Sequence, residues 1–152
     1  PDHYPLPSPM LYSKDFNFSY SGLKTAVLYL LRDLKKGHQG QTINQGTKAD
    51  IAASFQKAAM ETLIRKTITA AKTLNVKSVL LSGGVSANKF LREELEKRLA
   101  QELPDIKFSK PHLVYTTDNA AMIGLAGYLH YLKNKKTDFS WRSVQADAHL
   151  SF

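Results

Sequence analysis

Apolar residues recur at helical spacing in four stretches of the chain and alternate or cluster in three shorter ones. Leu23, Ala26, Val27, Leu30, Leu31 and Leu34 lie three or four positions apart, so the spacing predicts a helix that Ser21 can cap. Lys35-Lys36-Gly37 closes it with cations and a glycine stop. Ile51, Phe55, Ala59, Leu63, Ala70 and Leu74 trace a long amphipathic helix, opened by Thr47 and Asp50 in the manner of a capping box and ended by Asn75. A third helix is expected from Ser86 or Ala87 to Ala100, burying Phe90, Leu91, Leu95 and Leu99. The fourth begins near Asp118 and runs through Met122, Leu125, Ala126, Leu129 and Leu132 to Lys133, Lys135 and Lys136. Small residues at Ala120, Ala121, Gly124, Ala126 and Gly127 would let its first half approach a neighbour closely.

The shorter patterns read as extended segments. Phe16, Phe18 and Tyr20 alternate with Asn17 and Ser19, which suits a short strand or extended segment with one aromatic face. Lys77 to Leu81 ends in continuous apolar residues, as in a strand covered on both faces, and Ile106 and Phe108 flank Lys107 in a second. The polar stretch His38–Gly46 reads as a loop, Pro104 marks a break, and Phe139 to Phe152 has no period. Helix, strand, glycine turn, helix, strand, helix is an α/β order, with parallel strands joined by right-handed crossovers. Two strands are too few for a self-sufficient parallel sheet, so residues upstream are expected to complete it.

Between the first of those strands and the third helix lies Ser82-Gly83-Gly84-Val85-Ser86-Ala87-Asn88. Glycine has no Cβ, so Gly83 and Gly84 let the main chain turn tightly and approach a nucleotide or phosphate. The following helix aims its free N–H groups and positive dipole end the same way. A bare turn with no ligand has the same sequence, and the double glycine alone does not separate the two.

Composition narrows the classes. The chain has 152 residues, 43% hydrophobic and 22% charged, which is a globular balance and enough for one core. Its net charge of +8 attracts polyanions, nucleic acids and acidic proteins alike. With no cysteine, disulfides and thiolate metal sites are excluded, and no apolar run approaches the roughly 18 residues of a membrane span. Pro1 to Pro9 has neither an initiator Met nor a signal-peptide layout, so it reads as an extended linker within a longer chain.

Taken together, Phe16-Asn17-Phe18-Ser19-Tyr20-Ser21-Gly22-Leu23-Lys24-Thr25-Ala26-Val27, then Ser82 to Asn88 with Leu91-Arg92, then Thr117-Asp118-Asn119-Ala120-Ala121-Met122-Ile123 resemble a family. In that order they are similar to the C-terminal half of the TsaD family of tRNA threonylcarbamoyladenosine synthases. The family was earlier known as Gcp, an O-sialoglycoprotein endopeptidase. Thr116 departs from the cysteine that bacterial members often carry there. The resemblance extends over nearly the whole chain and implies an actin-like, sugar kinase-like ATPase fold, of which this is the helix-rich, incomplete C-terminal ribonuclease H-like lobe. Residues 1–15 would be a linker, 16–46 a family helical segment and loop, 47–136 the nucleotide-binding lobe and 137–152 a tail.

The resemblance also implies a chemistry. Family members move a threonylcarbamoyl group from threonylcarbamoyl-AMP to N6 of the adenosine 3′ of the anticodon, in the cytoplasm, with a TsaB-like paralogue and a TsaE-like ATPase as partners. By that likeness Gly83 and Gly84 face the nucleotide, and Asn88 donates side-chain hydrogen bonds to it. Asp118 would be this half's ligand to one iron or zinc ion, shared with two histidines of the N-terminal half. From the residues alone Asp118 is a helix N-cap for Ala120 or Ala121, and cap geometry is what this chain should show. His3, His38, His112, His130 and His149 include no pair at four-residue spacing, so no imidazole clamp forms on one helix face. No residue is assigned as a catalytic acid or base. Lys24, Arg32, Lys35 and Lys36 could meet tRNA phosphates or simply be solvated, and His112 could approach the site or have no role. Two other readings stand beside the transferase: a non-catalytic scaffold of the same fold, and a metal-dependent glycoprotease, which lacks a His-Glu-x-x-His run.

Overall fold

The computed structural model describes residues 4–37, 43–133 and 145. Among them the elements follow as α1 (Ser21–Gly37), α2 (Gln45–Thr73), β1 (Ser78–Leu80), α3 (Lys89–Glu102), β2 (Lys107–Ser109) and α4 (Ala120–Lys133). They fall into two compact units that divide between Thr116 and Thr117. The first contains α1 to β2 and the second contains α4. The architecture is therefore helix-rich α/β.

The core of the first unit gathers on α2. Leu23 of α1, Ala58, Ala59, Met60, Ile64 and Ile68 of α2, and Leu91, Leu95 and Leu99 of α3 are buried together. Burying such side chains contributes about 1.5–3 kcal/mol for each large one, before chain entropy is counted. The buried stripe of α2 differs from the expected one. Phe55 is 40% and Leu74 63% exposed, whereas Thr62 and Lys66 are buried at 1% and 5%. Phe90, expected inside, is 37% exposed because α3 faces the core through Leu91, Leu95 and Leu99 alone.

The strands β1 and β2 pair in parallel, with Ser78 opposite Lys107, Val79 opposite Phe108 and Leu80 opposite Ser109. Val79 and Phe108 pack against the core, while Leu80 points away and is 74% exposed. Strand β1 is thus covered on one face of the unit, not on both. Asn75 takes a left-handed conformation at φ 48° just beyond α2, which makes it the expected stop.

Helix starts lie slightly away from their expected residues. Asn44, not Thr47, caps α2, its side chain accepting from Thr47 N–H at 2.8 Å, so Gln45 and Gly46 are helical rather than loop. The rest of that loop, 38–42, the expected helix end at Lys135 and Lys136, and the tail from 139 onward apart from 145, lie outside the described residues. Residues 16–20 form no strand, and the sheet among the described residues consists of β1 and β2. Tyr20 instead turns its hydroxyl to Ala59 O at 3.2 Å, and its ring meets Phe18 at 5.7 Å between centroids.

The segment upstream of α1 lies along α2 as a strap. Leu6 packs against the core, Tyr4 N–H donates to Ser54 Oγ at 3.3 Å, and Ser8 Oγ donates to Ala58 O at 3.3 Å.

Candidate functional site

Past β1 the ladder extends one bond further, from Leu81 N–H to Ser109 O at 2.9 Å, and then the chain turns. Gly83 makes the turn at φ 82° and ψ 171°, a conformation that costs an L side chain dearly. A 3-10 turn, Gly84–Ala87, follows, held by Ser86 N–H to Gly83 O at 2.9 Å and Asn88 N–H to Val85 O at 3.0 Å. The helix expected from Ser86 therefore begins later, at Lys89, with the 3-10 turn in front of it. Gly83 and Gly84 are exposed, and a Cβ added at either would meet nothing within 4 Å. The outer face of the turn is open backbone.

The inner face is anchored. Ser86 is fully buried at 0% exposure, and its Oγ has no hydrogen-bond partner among the described residues. Its carbonyl accepts from Arg92 Nη1 at 2.8 Å, while Arg92 Nη2 donates to Pro111 O. One guanidinium so joins the turn after β1 to the segment after β2.

Asn88 is the N-cap of α3, at φ −63° and ψ 117°, and its Oδ1 accepts from Leu91 N–H at 2.9 Å. Its Nδ2 donates to Gln56 Oε1 of α2 at 3.1 Å. Of the amide's two N–H groups one is thereby engaged. Asn88 stands within a recognisable motif, whereas Gln56 does not, and their contact crosses 32 positions and leaves no local signal. Ala87, Lys89, Arg92, Glu93, Lys110 and Leu113 line a shallow hollow beside the turn. Lys89 and Lys110 there pair with Glu93 at 3.7 Å and Glu96 at 2.5 Å.

The Thr117-Asp118-Asn119 motif opens the second unit. Asn119, not Asp118, caps α4, its Oδ1 accepting from Met122 N–H at 2.9 Å and its Nδ2 donating to Thr117 O at 2.9 Å. Both residues are good caps, and the helix starts one position later than expected. Asp118 is exposed, and its carboxylate takes no part in the cap. In α4 a Cβ at Gly124 or Gly127 would meet nothing within 4 Å, and Tyr128 and Tyr131 are 58% and 50% exposed. His112 is exposed at the start of a short 3-10 turn and caps nothing with its side chain. On α1, Lys24, Lys35 and Lys36 are exposed, and Arg32 lies 4.8 Å from the Tyr29 ring. Among the described residues no group of three His, Cys, Asp or Glu could hold a metal ion, and no helix is long and apolar enough to cross a membrane.

Fold and turn together define a helix-rich α/β protein in which an open glycine turn leads from a parallel strand into a capped helix. The family model for TsaD, tRNA N6-adenosine threonylcarbamoyltransferase, matches residues 2–125, and the chain belongs to that family. A protein named tRNA N6-adenosine threonylcarbamoyltransferase from Thermosipho africanus is 48% identical over 139 residues, covering 91% of this chain and 39% of that protein. Proteins of the same name from Caldicellulosiruptor saccharolyticus and Listeria welshimeri are each 41% identical, covering 90% and 91% of this chain and 38% and 39% of their own lengths. The chain spans about two fifths of the curated relatives it matches.

Proposed function

We propose that the intact protein is a tRNA N6-adenosine threonylcarbamoyltransferase and that this chain supplies the part of it that holds the adenylate. The observation that carries the reading is the turn Gly83–Asn88. A left-handed glycine, open backbone at Gly84, the N–H end of α3 and one remaining Asn88 N–H follow one another in this turn, and together they supply donors that suit a nucleotide's acceptors. Family membership supplies the reaction, and the actin-like fold with this chain as its C-terminal lobe belongs to the same proposal.

In that reaction N6 of the adenosine attacks the carbamoyl carbon of threonylcarbamoyl-AMP. A C–N bond forms, the bond from that carbon to the phosphate oxygen breaks, and AMP leaves with the electron pair. The nitrogen gives up a proton, for which no base in this chain is assigned. What the residues here contribute is orientation: Gly83 and Gly84 admit the adenylate to the backbone, and Asn88 fixes it, so the acyl carbon is presented in one geometry.

An iron or zinc ion belongs to the proposal with Asp118 as one carboxylate ligand. A single exposed carboxylate does not make a site, so the ion would need donors beyond the described residues, and no step is derived through it. Partners in the proposal are tRNA, a TsaB-like paralogue and a TsaE-like ATPase, in the cytoplasm. The net charge of +8 favours the first of these.

The test is reconstitution. Intact protein with the two protein partners, threonylcarbamoyl-AMP and tRNA should yield threonylcarbamoyladenosine in nucleoside digests analysed by mass spectrometry. Product formed equally well without the protein, or none formed with it, overturns the reading.

A further inference from the structure

We propose that Gln56 is a positioning residue that fixes the orientation of the Asn88 amide and thereby decides what Asn88 offers a ligand. The proposal rests on the reading of Gly83–Asn88 as a nucleotide-facing turn. It starts from one backbone group. Leu91 N–H can only donate, so the Asn88 atom facing it at 2.9 Å is Oδ1. The atom left facing α2 is then Nδ2, which can only donate, so Gln56 presents Oε1 to it at 3.1 Å. A single N–H at the start of α3 thus sets the orientation of two side-chain amides on two helices.

The consequence lies in what is left over. After the cap and the Gln56 bond, Asn88 keeps one N–H and one lone pair. Without Gln56, Oδ1 would still cap Leu91, but the Nδ2 end would swing about that bond and its remaining N–H would lose its direction. Gln56 is well placed to prevent this. It is half-buried on α2, between the buried residues Ser54 and Ala58, where the helix backbone is held by the core. The free N–H of Asn88 therefore selects for an acceptor: a ring nitrogen, ribose hydroxyl or phosphate oxygen of an adenosine nucleotide.

Aspartate at position 88 would serve the cap as well as asparagine does and would suit the helix dipole better. It could even accept a bond from a flipped Gln56 amide. What it could not supply is the donor. The sequence therefore uses the residue that caps and still donates, and places on α2 the acceptor that aims it.

The test measures AMP affinity in the intact protein for the parent, Asn88→Ala, Gln56→Met and Gln56→Glu. Gln56→Met keeps the length and the helix preference and loses the acceptor, so AMP should bind about fivefold more weakly, the worth of one hydrogen bond. Gln56→Glu still accepts from Nδ2 and should bind within about twofold of the parent once its charge is screened at about 0.3 M salt. In Gln56→Met the Asn88 Nδ2 proton resonances should move toward those of a free amide. Should Gln56→Met fail to fold, Gln56→Ala carries the same expectation. Weaker binding in Asn88→Ala with none in Gln56→Met or Gln56→Ala overturns the role of Gln56 and leaves the turn reading standing. Unchanged binding in Asn88→Ala overturns both. Equal loss in the Glu and Met variants overturns the acceptor argument.

Discussion

Lys66 Nζ donates to Ser13 Oγ at 2.7 Å, joining two residues 53 positions apart. The same ammonium donates to Ser13 O at 3.0 Å and Asp15 O at 2.7 Å, with the Asp15 carboxylate 3.6 Å away. A cation that is 5% exposed is tolerated because its protons all meet oxygen. The pair therefore fastens the strap upstream of α1 to the middle of α2.

Replacing Lys66 with Met keeps the stem and removes the donors, leaving two carbonyls without this partner. Lys66→Met is expected to destabilise the protein by about 2 kcal/mol. Urea unfolding at fixed slope measures it, and an unchanged midpoint would show that the strap adds no stability.

The strap also carries a pH dependence. The Asp15 carboxyl is held below the usual carboxylate range chiefly by the Ser13 hydroxyl donating at 2.6 Å, then by Asn17 Nδ2 at 2.6 Å, with Lys66 adding attraction. A carboxylate with a depressed folded pKa stabilises above the unfolded pKa, near ~4, and loses that contribution as pH falls through its folded value. The thermal midpoint should fall on acidification below about pH 4, and Asp15→Asn should flatten that part of the profile. A profile unaltered by Asp15→Asn would exclude the group.

Local pattern carried some elements and missed others for identifiable reasons. Helices α1 and α3 were legible because Leu23 and the Leu91, Leu95, Leu99 stripe face one shared core. The buried side of α2 is less legible because it includes polar residues: Lys66 is buried where Ser13 and Asp15 take its ammonium, a pairing across more than 50 positions that local apolar spacing does not reveal. Alternation at Phe16, Phe18 and Tyr20 looks like a strand, but pairing needs an edge that only the tertiary structure provides or withholds. At the turn, Gly83 was readable because its φ leaves few alternatives to glycine. Gln56 was not, since its meeting with Asn88 depends on how two helices sit side by side.

The two glycines should separate experimentally. Gly83→Ala forces a side chain into φ 82° and ψ 171°, a region essentially reserved to glycine, and should cost about 2–3 kcal/mol. Gly84→Ala meets no atom within 4 Å and should change stability by less than about 0.5 kcal/mol. If the turn faces the nucleotide, Gly84→Ala should nonetheless weaken AMP binding, which isothermal titration measures. Unimpaired binding in a stable Gly84→Ala protein would count against that face.

Asp118 and Asn119 should separate in the same way. Asn119→Ala removes the cap on Met122 N–H and should destabilise α4 by about 1 kcal/mol, read as faster amide exchange in its first turn. Asp118→Ala should leave that exchange unchanged while lowering the metal content of the intact protein, measured by elemental analysis. Undiminished metal content would remove Asp118 from the proposed ligand set.

Arg92 gives the short sheet a rung made of side chain. The strands β1 and β2 are three residues long each, and their ladder ends where Leu81 meets Ser109. Beyond that point the chains diverge, one into the glycine turn and the other toward Pro111, and the guanidinium bonds a carbonyl on each. Its planar fork continues the pairing past the last backbone bond, at the carboxyl ends of parallel strands, where α/β sheets present their ligand crevices. The glycine turn therefore inherits its position from the strand register, and a slip between β1 and β2 would shift the turn with it.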